Sequence, residues 1–198
     1  MSRRRVALLR GINIGTAKRV AMSDLRTLVS SLGYTEAETL LNSGNVVFTA
    51  PAGVRGDPAP RIERAIATEL QVSSRVTVLT AAELDAIIGG NPLLARMDNP
   101  SRMHVAVLFD TASETAVAPL LAADWGAEAM ALGPRAVYVW CPAGVIDSAA
   151  LKALGKAVRQ AVTVRTWSTM LKLQARAGAA GPPPAAARTA RPPRRKER

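Results

Sequence analysis

"ETLLNSGNVVFT", residues 38–49, is the stretch on which the fold turns. Residues 38–41 and 45–49 read as two strands. Ser43-Gly44 between them is turn chemistry, because glycine reaches positive φ and serine bonds its own backbone. Helix patterns flank this hairpin. Leu25, Leu28, Val29 and Leu32 recur at i, i+3, i+4 and i+7, with Ser23 as expected N-cap and Gly33 as stop. Ile62, Ile66 and Leu70 mark a second helix. The apolar run 6–10 reads as a buried strand, and residues 75–79 alternate as another. The order is β-α-β-β-α-β over residues 1–80.

Residues 81–102 read as a helical connector. Thr80 and Glu83 form a capping-box pattern ahead of Leu84, Ile87 and Ile88, and Gly89-Gly90-Asn91-Pro92 ends that helix. Residues 103–174 then repeat the order without repeating the sequence. Strands are expected at 103–109, 128–132, 136–141 and 162–165. Helices are expected at 113–123, where Pro119 should kink or shorten the turn, and around Leu151, Leu154 and Val158, where Gly155 weakens the pattern. A last short helix carries Met170, Leu171 and Leu173. Two such units imply an α+β fold of two ferredoxin-like halves, each with helices on one face of an antiparallel sheet. Residues 175–198, rich in Ala, Gly, Pro and Arg, bury too little apolar surface to offset their ordering entropy and read as a disordered tail.

The formal net charge is +11, and its distribution matters more than its size. Arg3, Arg4 and Arg5 supply three charges, and residues 188–198 supply a net five. Removing both leaves +3 for residues 6–187. The ends are basic and the body is nearly neutral, so the tail reads first as a solvated, dispensable segment, with weak, salt-dependent nucleic-acid contact as its functional alternative. No apolar run approaches the roughly 20 residues that span a bilayer, so no membrane partner is expected. The N-terminus lacks the apolar stretch of a signal peptide. One cysteine, Cys141, excludes an internal disulfide and a Cys-rich metal site, and the cytoplasm is the expected compartment. His104, the sole histidine, lies in a strand pattern and reads as structural. No cofactor and no metal are implied, and the scattered carboxylates form no defensible catalytic pair.

Three polar stretches sit at strand ends. "RGINIGTAKR", residues 10–19, puts Arg10, Asn13, Lys18 and Arg19 around glycines whose N–H groups suit an anion. It is neither a P-loop nor a G-x-G-x-x-G fingerprint, and alone it reads first as a structural turn. "NSGN" adds Asn42, Ser43 and Asn45, or simply turns a hairpin. "VRTWST" adds Arg165 at a strand end, Thr166 or Ser168 as helix caps, and Trp167, which fits either stacking on a base or packing in the core.

Together, "ALLRGINIG", "LNSGNVVF" and "VRTWSTMLKL" resemble the signature segments of the bacterial family known as domain of unknown function 1697. "MSDLRTLVSSLGY" and "NPLL" resemble its first helix and its Asn-Pro turn, so the likeness runs over about residues 5–174. Thr16, Leu40, Asn42, Thr166 and Ser168 depart from the family pattern; Thr166 and Ser168 replace two Asn around Trp167, which would alter specificity if those positions touch a ligand and change nothing if they only cap a helix. The resemblance implies two paired α/β-plait halves and no established activity.

The functional expectation is binding of a small anionic or phosphorylated ligand through strand-end loops, with Arg10, Asn13, Ser43, Asn45, Arg165 and Trp167 as site residues. An enzyme acting on a nucleotide or phosphorylated substrate is the second expectation, with no catalytic residue assigned. Weak nucleic-acid binding through the tail is the third. The sequence assigns neither a reaction nor an oligomeric state.

Overall fold

In the computed structural model, residues 4–13, 19–52 and 56–178 are described. The first half comprises β1 (Arg4–Leu9), α1 (Met22–Ser31), β2 (Thr35–Leu40), β3 (Asn45–Thr49), α2 (Ala59–Glu69), β4 (Val76–Thr80) and α3 (Ala81–Gly89). The second comprises β5 (Met103–Leu108), α4 (Ala112–Leu121), β6 (Ala129–Gly133), β7 (Ala136–Trp140), α5 (Ala149–Val158), β8 (Val162–Thr166) and α6 (Trp167–Ala177). The strand orders are β2-β3-β1-β4 and β6-β7-β5-β8, antiparallel throughout. That is the split-βαβ topology, twice.

The central strands are apolar runs rather than alternations because both faces are covered. Ala7 and Leu9 of β1 pack with α1 and α2, while Val6 and Leu8 point the other way. In β5, Ala106 and Leu108 pack with Val117 of α4 and Leu154 of α5. Val105 and Val107 join the opposite core. Period-two geometry sends each neighbour to a different layer. The shared central core unites the inner faces of both sheets with Leu84, Ile87 and Ile88 of α3 and Trp167, Met170 and Leu173 of α6. Each sheet therefore has a helix pair on its outer face, as expected, and α3 and α6 against its inner face.

The two halves match register by register. Leu8 pairs with Asn45 and Thr77, and Val107 pairs with Ala136 and Thr163. Leu9 N–H donates to Gly44 C=O at 2.8 Å, and Leu108 N–H donates to Arg135 C=O at 3.0 Å. Thr80 caps α3 as Thr166 caps α6. The helix expected within a connector thus occupies the place in the first half that α6 occupies in the second. One connection breaks the match. Residues 10–21 join β1 to α1, whereas only residues 109–111 join β5 to α4.

Three local readings are corrected. Ala21, not Ser23, is the N-cap of α1, and no side chain caps that helix. Strand β2 starts at Thr35, because an irregularity between Thr35 and Glu38, with Glu36 at φ 52°, interrupts the alternation that would have revealed it. Helix α6 continues to Ala177, past the expected start of the tail at residue 175. Ala177 is buried in the central core, and Gly178 ends the helix in the left-handed region. Residues 179–198 lie outside the described residues.

The Thr80–Glu83 capping box forms as read, and it also ties the halves together. Arg135 Nη1 donates to Glu83 Oε1 at 2.5 Å, and Nη2 donates to Thr77 Oγ1 at 3.0 Å. Burial pushes the Glu83 carboxyl up, but hydrogen bonds from Thr80 and the Arg135 guanidinium outweigh it and hold the group below its ordinary value. A carboxyl lowered in the folded state adds stability that is present above its unfolded pKa and is lost as pH falls through the folded one. Glu83→Gln should therefore melt below the parent at neutral pH, and the gap should begin to narrow below about pH 4.5 and close as pH falls through the lower folded value. A gap constant with pH in thermal scans would place the effect in the neutral cap alone.

Candidate functional site

The β2–β3 turn, residues 41–44, is built for close approach. Gly44 has φ 71°, and a Cβ there would lie 2.7 Å from Ile12 Cδ1 and 2.8 Å from Leu9 Cβ. The turn consequently sits flat on the end of β1, with its carbonyls facing the second half. Arg165 of β8 fills that position. Its Nε donates to Asn45 Oδ1 at 2.5 Å, Nη1 to Thr163 Oγ1 at 3.0 Å and Val164 C=O at 2.8 Å, and Nη2 to Leu9 C=O and Ser43 C=O, each at 2.8 Å. A guanidinium carries five N–H donors, and these contacts use all of them. Arg165 is 8% exposed, and burial draws its pKa down to about 10, so it stays charged at neutral pH.

The other expected site residues follow the same seam. Asn45, fully buried, donates from Nδ2 to Leu40 C=O at 2.8 Å and to Ser43 Oγ at 2.9 Å. Arg10 reaches across to the second half, where Nε donates to Val162 C=O and Nη2 to Arg159 C=O, both at 2.8 Å. Arg10 Nε and Arg165 Nη1 thereby occupy two carbonyls along β8, an edge strand, which blocks strand addition there. Asn13 adopts φ 55°, a region asparagine tolerates better than most residues. Its Oδ1 accepts from Val20 N–H at 2.8 Å, and its Nδ2 donates to Val20 C=O at 2.9 Å and Asn42 C=O at 2.8 Å. It closes the β1–α1 connection on itself and hooks it to the hairpin turn.

Arg10, Asn13, Ser43, Asn45 and Arg165 are thus brought to one seam, with Ser43, Asn45 and Arg165 in direct contact. Trp167 is not on it. It is 4% exposed and packs in the central core. Thr166 accepts from Thr169 N–H and is the cap of α6. Lys18 and Thr16 lie outside the described residues.

Beside the seam is a cavity of about 440 Å³ lined by Asn13, Arg19, Val20, Ala21, Met22 and Asn42. It lies at the long connection that the second half lacks. It faces the start of α1, where first-turn N–H groups have no side-chain cap and the helix dipole favours negative charge. Arg19 is exposed on its wall. Arg19 and Asn42 belong to the polar stretches singled out in the sequence but are not among the six residues expected to form the site. The signal that points to them is the length of chain between Leu9 and the first apolar helix position.

Other reactive groups are sequestered. Cys141 is buried with its Sγ 3.3 Å from Ser148 Oγ, and burial, reinforced by Glu128, pushes the thiol up despite that bond. His104 lies in β5 with Nδ1 3.2 Å from Arg102 C=O, and burial holds its pKa below the ordinary value. Among the described residues, no group of three or more His, Cys, Asp or Glu is placed to hold a metal ion. Among them too, no helix is long and apolar enough to cross a membrane.

Comparison with known proteins agrees with this architecture. The model of the family DUF1697, described as a protein of unknown function, matches residues 1–138. No curated protein matches the chain. Among solved structures, the conserved bacterial protein SP0830 from Streptococcus pneumoniae is similar, with a TM-score of 0.70 and 19% sequence identity over 88% of this chain and 98% of that one. At that identity the likeness is one of fold.

Proposed function

The chain belongs to the DUF1697 family of proteins of unknown function, and from that premise we propose that it binds a small anionic or phosphorylated ligand in the cavity at the β1–α1 connection. One observation carries the reading: the cavity occurs where two otherwise matched halves differ, in a connection spanning residues 10–21 against residues 109–111. Long connections on rigid scaffolds are where binding residues gather. Its volume, about 440 Å³, suits a small molecule. Arg19, the amide of Asn42 and the first-turn N–H groups of α1 supply donors for an anion. Asn13 lines the cavity and ties the connection to the hairpin turn, while Arg10, Ser43, Asn45 and Arg165 act one step back: their hydrogen bonds hold the neighbouring turn and strand end to the second half. Trp167 anchors the helix that follows β8. Among the described residues that line it there is no general base, and the reading is one of binding.

Thermal shift of the full chain against inorganic phosphate, sugar phosphates and nucleoside phosphates tests this. A ligand at 100 times its Kd stabilises by about 2.7 kcal/mol, which is roughly 5–10 °C for a chain of this size. Arg19→Ala, at an exposed position, should leave the unliganded melting temperature unchanged and remove the shift. Asp24→Asn, which removes a carboxylate from the first turn of α1, should enlarge it. A shift that survives Arg19→Ala undiminished places the ligand elsewhere, and no shift with any of these compounds rejects the reading.

A further inference from the structure

We propose that β6 is a pairing edge for a second copy of this chain, joined antiparallel about a two-fold axis at Ala131, so that the two second-half sheets continue as one.

Each sheet ends in two edge strands, β2 and β4 in the first half, β6 and β8 in the second. An open edge offers unpaired N–H and C=O groups to another strand. On β2 the edge is broken by the irregularity at Glu36, φ 52°, and the Glu38 carboxylate beside it holds Arg176 at 2.9 Å. On β4 the outward N–H groups of Val76 and Thr80 donate to Glu63 Oε1 at 2.7 Å and Glu83 Oε2 at 2.8 Å. On β8 the Val162 and Val164 carbonyls accept from Arg10 Nε and Arg165 Nη1, each at 2.8 Å. Strand β6 carries no such closure. Cys141 N–H donates to Arg102 C=O and Leu108 N–H to Arg135 C=O, so the odd-numbered residues of this stretch bond to β5. Ala136, Tyr138 and Trp140 therefore bond to Gly133, Ala131 and Ala129. The backbone groups of Met130 and Leu132 point out of the sheet, and among the described residues nothing bonds to them.

The strand's own sequence selects its partner. Residues 129–133, AMALG, contain no charge and no proline, and their register with β7 is unbroken. With the axis at Ala131, Met130 lies opposite the partner's Leu132, and Leu132 opposite the partner's Met130. Each pair exchanges both backbone bonds, so the outward groups of one copy satisfy those of the other. An axis normal to the sheet also keeps the faces matched. Met130 and Leu132 belong to the outer core, so apolar side chains meet there, and on the other face Ala131 meets the partner's Ala131 and Ala129 the partner's Gly133. Pairing stops at Pro134, which has no N–H and falls opposite the partner's Glu128. Beside the start of the strand, Arg96, Leu121, Trp125, Glu128 and Met130 line a cavity of about 220 Å³. Leu121, Trp125 and Leu132 are only partly buried, and the partner's β6–β7 turn would cover this apolar rim.

Sedimentation velocity of the full chain at about 100 μM should show a dimer. Residue 131 faces its own copy in this register. Ala131→Lys and Ala131→Glu should each weaken the dimer at least tenfold, and an equimolar mixture of the two should restore it as a heterodimer. Ala131→Cys tests the register without adding charge. Directly opposed residues that share no backbone bond are close enough for a disulfide, so copper-phenanthroline should oxidise the paired thiols to a cross-linked dimer. Ala127→Cys is the control, because it would stand about 27 Å from its copy at 3.4 Å per residue and should not cross-link. Cys141 is buried and does not compete. A monomer at that concentration overturns the proposal. So does a dimer indifferent to both charges, which lies on another surface, or one in which Ala131→Cys does not cross-link.

Discussion

Arg165→Met lowers the melting temperature by about 10 °C, corresponding to roughly 3–5 kcal/mol in a chain of this size. The argument turns on what remains after the substitution. The guanidinium satisfies Asn45 Oδ1, Leu9 C=O, Ser43 C=O, Val164 C=O and Thr163 Oγ1. These acceptors belong to the backbone ends of β1, the hairpin turn and β8, and no side-chain change removes most of them. Methionine fills a similar volume and offers no donor, so buried acceptors lose their partners at about 1–3 kcal/mol each before relaxation or water entry recovers part of the loss. Relief from burying a lone cation offsets some of this, but less than the sum of orphaned carbonyls.

Arg165→Lys keeps the charge with three donors in place of five, and should fall between parent and Met. Arg10→Ala supplies the scale. Its two carbonyl contacts are less buried, water replaces them, and the cost should be about 1 kcal/mol. Thermal denaturation of the three variants orders them as parent, Arg10→Ala, Arg165→Lys, Arg165→Met. Equal melting of Arg165→Met and parent would show that the seam is hydrated and that the arginine is dispensable to the joint.

Arg165 also shows where sequence reading runs out. A lone arginine at a strand end, beside glycine- and asparagine-rich segments, reads as an anion donor. Its burial depends on carbonyls some 120–156 positions away, which no local pattern records. The apolar runs at β1, β3, β5 and β7 were legible because both faces of those strands are covered, and the hairpin at Ser43-Gly44 was legible from turn chemistry. The capping box at Thr80 was legible because both its partners lie within four residues. The start of β2 was not, because the positive φ falls on Glu36, a residue type that does not announce it. The equivalence of α3 and α6 needed the strand registers, since the two helices share a threonine cap and little else. The long β1–α1 connection could be counted along the chain. That it walls a cavity depends on Asn13 bonding to both Val20 and Asn42, a closure that the residues themselves do not specify.

Gly44→Ala carries the second large effect, and its counterpart in the other half explains why. Gly44 C=O and Arg135 C=O accept the matched N–H groups of Leu9 and Leu108, so the two residues occupy equivalent places in their hairpins. Both have positive φ, 71° and 53°. The fold therefore tolerates a side chain at this backbone position, and strain alone, about 1–2 kcal/mol, does not demand glycine. Space decides. At Gly44 a Cβ meets Leu9 Cβ at 2.8 Å and Ile12 Cγ1 at 2.9 Å, and Leu9 Cβ cannot swing aside because it is fixed to the backbone of β1. Overpacking adds about 1–3 kcal/mol to the strain, so Gly44→Ala should lose roughly 3 kcal/mol. Arg135→Gly relieves strain but gives up the contacts to Glu83 and Thr77, and should change stability by less than about 1 kcal/mol. Ile12→Val in the Gly44→Ala background removes the nearest contact, Ile12 Cδ1, and should restore part of the loss. Urea unfolding of the three variants tests the account. No recovery in the double variant would assign the loss to the Leu9 Cβ contact and the backbone, which Ile12→Val leaves in place, rather than to Ile12 Cδ1.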